Sequence, residues 1–175
     1  MKNIVAIVVS VVALALSITV WVLGQQSSKL AYVELSTVFT EFEMTKQYRA
    51  KLETIINARK GISDSLEMAL KAQSRSFSEN SSMKDPKVQQ FMYDKEMYVQ
   101  KVKQFTEDNQ ALQRQYDMEI NKQITQYVKE YGESKGYRYI FGADGSGSMM
   151  YAQPADNITK DVIEYINKKY KGVAK

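Results

Sequence analysis

Apolar and polar positions divide this chain into stretches of different period. Residues Ile4 to Leu23 read IVAIVVSVVALALSITVWVL, and no charge interrupts them. As an α-helix that run spans roughly 30 Å, the thickness of a bilayer core. Lys2 ahead of it favours a cytoplasmic start, and Trp21 near its end is a membrane-edge residue. Ile4, Leu14, Trp21 and Leu23 are therefore expected within a membrane segment. A short polar linker, Gln25 to Ser28, follows. In KLAYVEL, Lys29 to Leu35, apolar residues alternate. Ala31, Val33 and Leu35 share one face, which predicts a short strand. Ser36 and Thr37 are natural N-cap candidates for the next element.

The period then becomes helical. Val38, Phe42, Leu52, Ile56, Leu66, Leu70 and Phe77 fall on a stripe of alternating three- and four-residue steps, predicting a helix from Val38 to about Glu79. Thr45, Arg49, Arg59, Ser63 and Gln73 interrupt the stripe, so it is apolar only in patches. Gly61 lies inside it, a flexible point or a tolerated cost of about 1 kcal/mol relative to Ala. ENSSMKDP, Glu79 to Pro86, is turn chemistry with Pro suited to a new first turn. A second helix is predicted from Pro86 to Ser134. Phe91, Tyr98, Phe105 and Leu112 repeat every seven residues, Val88, Val102 and Tyr116 flank them, and Ile120, Ile124, Tyr127 and Tyr131 continue the stripe. Gly132 and Gly136 bracket its C-terminus. A short turn makes the two helices antiparallel neighbours. Each can cover only one face of the other, which predicts an extended arm.

After the arm the pattern reverts to strands. In GYRYIFG, Gly136 to Gly142, residues Tyr137, Tyr139 and Phe141 alternate. ADGSG reads as a turn and SMMYA, Ser148 to Ala152, as a returning strand, so a β-hairpin is expected. Pro154 ends it. Asp156, Asn157 and Thr159 are caps for a final helix with the stripe Val162, Ile163, Ile166 and Tyr170, and Lys168, Lys169 and Lys171 suit its C-terminal dipole. The expected class is α+β. A small strand body (29–36 and 136–175) carries a long antiparallel helical hairpin (37–135), after an N-terminal hydrophobic helix (1–24) and a linker (25–28). Three short strands and one helix make a small core. Without staples such a body needs partners, so a homo-oligomer whose sheet edges pair between subunits is expected.

Composition narrows the chemistry. The chain has 175 residues with no Cys and no His. Thiol nucleophiles, disulfides, Cys/His zinc sites and Ser-His-Asp triads are thereby excluded. The net charge of +4 is too small to argue for nucleic acid. The arm is nearly neutral, with 16 basic and 15 acidic residues between 37 and 135. Glu41 with Glu43, and Asp94 with Glu96, are two apart and do not share a helix face. The GADGSG run lacks the Lys of a phosphate loop and the further ligands of a Ca loop, so a turn is the better reading. No enzyme, metal, cofactor or nucleic-acid role is expected. Nine Met and twelve Tyr supply adaptable apolar contacts.

Three segments resemble the Skp/OmpH-like periplasmic chaperones, over most of residues 29–171. KLAYVELSTVF is similar to that family's opening pattern, with Glu34 where Asp or Asn is usual. INKQITQYVKEYGESKGYRYIF is similar to the end of its second helix running into its second strand. MMYAQPADNITKDVIEYINKKY is similar to its closing pattern, with Asn157 where Asp is usual and Ile166 where Leu is usual. The resemblance implies a homotrimer in which strands from three subunits build a β-barrel body. Three hairpins would surround a cavity that holds unfolded outer-membrane β-barrel proteins without nucleotide. On that basis Val33, Leu35, Ile140 and Tyr151 belong to the trimer body. Phe77, Met83, Phe91 and Met92 lie towards the arm tips, and with Tyr98 and Phe105 they are the client-binding candidates. The plain alternative for each arm aromatic is packing within the hairpin.

Family members of this type are usually soluble after signal cleavage. Here Val22 and Gly24 would permit cleavage, whereas the length of the apolar run favours a retained anchor in the inner membrane. Either way the rest of the chain is exported, with a periplasmic location implied. A retained anchor also motivates a second reading, a membrane-anchored coiled-coil scaffold of the cell envelope.

Overall fold

The computed structural model describes residues 29–77 and 82–173, with Ala13 and Ser17. Ile4, Leu14, Trp21, Leu23 and the linker 25–28 lie outside the described residues. Among the described residues no helix is long and apolar enough to cross a membrane. The chain order is β1 (Lys29–Glu34), α1 (Leu35–Glu41), α2 (Glu43–Ser74), α3 (Pro86–Lys135), β2 (Tyr137–Ala143), a 3-10 turn (Pro154–Asp156) and α4 (Thr159–Val173).

The strands differ from expectation in direction. β1 and β2 are parallel, with Ala31 opposite Ile140 and Val33 opposite Gly142. Parallel neighbours need a long crossover, and here the crossover is the whole arm. The expected β-hairpin does not form: Ser148–Ala152 is not a strand, and Tyr151 is 81% exposed. The other edge of β1 is already taken. The Ile158 N–H donates to the Tyr32 carbonyl (3.0 Å) and the Glu34 N–H donates to Thr159 Oγ1 (2.9 Å). The loop after β2 folds on itself instead, with Asp144 Oδ1 accepting from the Ser146 N–H at 2.9 Å.

The expected single face of Tyr137, Tyr139 and Phe141 is also broken. Lys29 lies opposite Tyr137 but Leu30 opposite Tyr139, so the register skips one β2 residue. Such a bulge flips the faces that follow it. Tyr137 turns in to stack on Tyr131 at 6.1 Å, while Tyr139 and Phe141 stack on each other outside at 6.0 Å. Leu35 begins α1 rather than ending β1, and it is exposed although its side chain packs against Gly142.

The first long helix starts earlier than expected and is broken. It begins at Leu35 with Glu34 at the N-cap, where Ser36 and Thr37 were the candidates. It leaves helical geometry at Phe42 (φ −71°, ψ 127°) before α2 starts. The Phe42 ring is fully buried, edge-on to Tyr127 (6.2 Å) and Tyr170 (5.4 Å). A break orphans backbone groups that must find partners. Asn167 on α4 serves both sides of it: the Glu43 N–H donates to Asn167 Oδ1 (2.8 Å) and Asn167 Nδ2 donates to the Glu41 carbonyl (3.1 Å). Around this point Val33, Val38, Ile120, Ile124, Val162 and Ile166 form one core at the arm's root.

α2 stops at Ser74, short of Glu79. The Ser74 and Ser76 hydroxyls donate back to the Lys71 (2.9 Å) and Gln73 (2.6 Å) carbonyls, which competes with helix continuation. α3 matches expectation closely. Asp85 caps it by accepting from the Lys87 N–H (2.8 Å), Pro86 opens it, and Gly136 at φ 70° closes it. Gly132, expected near the terminus, lies inside α3 with Ile140 against it.

Two stability outcomes follow from these positions. Asn167→Ala removes the partner of the part-buried Glu43 N–H and of the exposed Glu41 carbonyl and should cost about 0.5–1.5 kcal/mol in urea unfolding. A cost near zero would mean that water serves the break equally well. Gly61 lies in an unbroken stretch of α2, and nothing lies within 4 Å of where its Cβ would be. Gly61→Ala should therefore stabilise the protein by roughly 0.5–1 kcal/mol, read as a higher urea midpoint.

Candidate functional site

The arm is the feature that a core does not explain. Its two helices touch along one seam, cross-linked at three levels. Near the root Tyr48 donates to Glu119 (2.9 Å). In the middle Arg59 donates to Asn109 and pairs with Asp108 (3.7 Å). Near the tip Gln73 donates to Asp94 (3.1 Å). These links fix the register where apolar packing is thin. On α2 the seam keeps Leu52, Arg59, Ser63 and Leu70 of the expected stripe, with Phe77 just past the helix end, all half-buried. It shifts by one residue elsewhere: Tyr48 and Ile55 are half-buried in it, while Arg49, Ile56 and Leu66 are exposed. On α3 the expected stripe holds, yet Phe91, Tyr98, Phe105 and Leu112 are only half-buried. Two helices alone cannot enclose such rings.

The six client candidates divide by position. Phe77 and Phe91 meet edge-on across the tip at 5.3 Å. Phe105 lies under Arg59 (5.5 Å) and Lys101 (5.0 Å). Tyr98 lines an open groove of about 480 Å³ with Leu66, Leu70 and Met97. These four belong to the seam. Met83 and Met92 stand clear of it, exposed by 70% and 47%. Sequence reasoning missed Ile62, Met68, Tyr93, Met97 and Val99, which are also exposed. The available signal was negative: each is a large apolar residue lying off the seam stripe.

Ion pairs within a single helix do little to organise the arm. Lys60–Asp64 (2.8 Å), Lys71–Glu67 (2.5 Å) and Lys103–Glu107 (3.8 Å) are exposed pairs within single helices, worth little each. Among the described residues no cluster of acidic side chains could hold a metal. A second cavity of about 370 Å³ at the root is lined by Thr45, Tyr48, Arg49, Tyr116 and Asp117. The Thr45 hydroxyl there is buried and has no partner among the described residues. Burial and the Glu119 acceptor push the Tyr48 phenol up to about 12. Hydrogen bonds from Gln115 and Tyr48 hold the Glu119 carboxyl below its ordinary range.

The body offers a different surface. Of the trimer candidates, Val33 is buried in the subunit's own core and Ile140 packs against it, while Leu35 and Tyr151 are exposed. The sheet's outer face carries Leu30, Tyr139 and Phe141, all exposed.

The body is a parallel two-stranded sheet whose strands are joined through a long helical hairpin. The chain belongs to the family described as Outer membrane protein (OmpH-like), which matches residues 29–166. Its fold is also that of a candidate outer membrane chaperone (OmpH-like) from Caulobacter crescentus CB15, solved by crystallography. The two share 12% identity and a TM-score of 0.59, over 81% of this chain and 85% of that one. No curated protein matches the chain in sequence.

The Tyr48–Glu119 link should be visible in pH dependence. A phenol whose pKa is raised by folding stabilises the fold below its ordinary value near 10 and ceases to as pH rises towards 12. The urea midpoint should fall over that window, and Tyr48→Phe should remove part of the fall, about 1–2 kcal/mol. An identical alkaline limb in the variant would mean that this phenol is not linked to unfolding.

Proposed function

We propose that this protein is an ATP-independent holdase of the periplasm that shields unfolded outer-membrane β-barrel proteins between helical arms. One observation carries the reading: a long hairpin with large apolar side chains standing off its seam, unsealed by any other element among the described residues. Such a surface is suited to many weak, reversible contacts with an unfolded chain, and Met and Tyr tolerate varied client shapes. Membership of the OmpH-like family supports the same reading, as does the fold shared with a candidate outer membrane chaperone.

The functional unit in this reading is a homotrimer. Support comes from the outer edge of β2 and the segment Ser148–Ala152, neither of which pairs with a further strand among the described residues, and from the exposed outer face of Leu30, Tyr139 and Phe141. Strands of neighbouring copies would cover all three. Val33, Leu35, Ile140 and Tyr151 would then belong to the trimer body. The client surface would run along the arm through Phe77, Met83, Phe91, Met92, Tyr98 and Phe105. Met83 and Met92 would make the direct contacts, and the seam rings would hold the tip in shape. The segment Ile4–Leu23 would tether the trimer to the inner membrane if it is retained.

The test dilutes a urea-unfolded outer-membrane β-barrel protein into the full chain and measures the mass of the soluble complex by light scattering. Three copies per client is the expected result. Combined Met83→Glu and Met92→Glu should weaken capture roughly tenfold, because two charges must be desolvated against an apolar client. The free trimer should keep its mass. A trimer that leaves the client to precipitate would instead favour a scaffold role, and unchanged capture by the double variant would rule out contact at the tip.

A further inference from the structure

The outer part of the arm is unusual in what its apolar surface is made of. Between residues 62 and 99, eight large apolar side chains are exposed among the described residues, and four are Met68, Met83, Met92 and Met97. They share one end of the hairpin. Met97 lines the groove with Leu66 and Leu70, while Met83 lies in the turn, between the Phe77 and Phe91 rings in sequence. Met44, by contrast, is buried in the root core at 8% exposure. The chain has no Cys, so thioethers are its only oxidisable sulfurs.

We propose that Met68, Met83, Met92 and Met97 form a reversible oxidation site, through which peroxide-class oxidants weaken the arm's hold on apolar clients. A thioether lone pair attacks one peroxide oxygen. The O–O bond breaks as an S–O bond forms, and the displaced hydroxide takes the proton left on the new S–OH, leaving as water. Sulfur is oxidised by two electrons and the peroxide is reduced by two. Each conversion turns a flexible apolar side chain into a polar sulfoxide at the surface meant for client contact. Half of the exposed apolar residues on that part of the arm change character at once. The root core and the seam rings do not, so the arm stays folded while its grip falls. Methionine sulfoxide reductases reverse the step.

The inference rests on the holdase reading, and its experiment separates the two. The full chain is treated with hydrogen peroxide and mapped by peptide mass spectrometry. Exposure predicts that Met150 converts first with Met68, Met83 and Met118 close behind, Met92 and Met97 next, and Met44 last. Affinity for a urea-unfolded outer-membrane β-barrel protein is measured before treatment, after it, and after repair with reductases for both sulfoxide epimers. The expected result is a roughly tenfold loss, equivalent to about 1.4 kcal/mol, with helical circular dichroism unchanged and capture restored by repair. A chain carrying Met68→Leu, Met83→Leu, Met92→Leu and Met97→Leu, compared with its own untreated state, should show no peroxide effect. Unchanged affinity with all four sulfurs converted overturns the inference and leaves the holdase reading standing. So does a peroxide effect of equal size in the four-Leu chain, which would move the locus to Met118 or Met150. If the untreated chain holds no client, the holdase reading itself fails, and the inference falls with it.

Discussion

The structure depends on one junction, where the chain leaves its helix at Phe42 and Asn167 closes the gap. Phe42 is fully buried between Tyr127 and Tyr170, so residues from α3 and α4 meet on a single ring. Asn167 supplies the donor and the acceptor that the interrupted backbone lacks. Breaking a helix inside a core is costly unless those groups are matched. The match ties the last helix of the chain to the root of the arm. It also sets where α2 departs, and therefore where the hairpin points.

Beyond the junction the constraints reverse. The body encloses its apolar residues in a core shared by strands and helices, whereas the arm is two helices thick and cannot. Its rings stay half-buried, its register relies on polar links such as Arg59–Asn109 and Gln73–Asp94, and its off-seam residues face outward. A longer arm therefore means more accessible apolar surface with no change in core. Geometry alone yields a surface that is available without being self-sealing, and that property is what a holdase needs.

Much of this was legible in the chain. The heptad of Phe91, Tyr98, Phe105 and Leu112 located α3 to within a residue, because a seam against a single partner is a simple periodic signal. The resemblance led to the family, and two of its three noted departures turn out to touch: Asn157 Nδ2 donates to Glu34 Oε1 at 3.1 Å. An amide opposite a carboxylate is a compatible pair, where two carboxylates would repel. No single-chain pattern could have linked positions 34 and 157. The expected β-hairpin failed for a similar reason, since alternation predicts a strand and says nothing of its partner or direction.

What the sequence determined by itself was local and periodic: two long amphipathic helices, their turn, two flanking strands, a final helix, and chemistry without Cys or His. Side-chain spacing decides those things through 3.6- and 2-residue periods. What only the tertiary structure decided was pairing. The parallel register with its bulge, the break at Phe42, the local shifts of the α2 seam at Tyr48 and Ile55 and the outward stance of Met68 all depend on contacts between residues far apart in sequence. Such contacts are chosen by whole-body packing and by the need to satisfy buried backbone groups, and neither is written in any one stretch of chain.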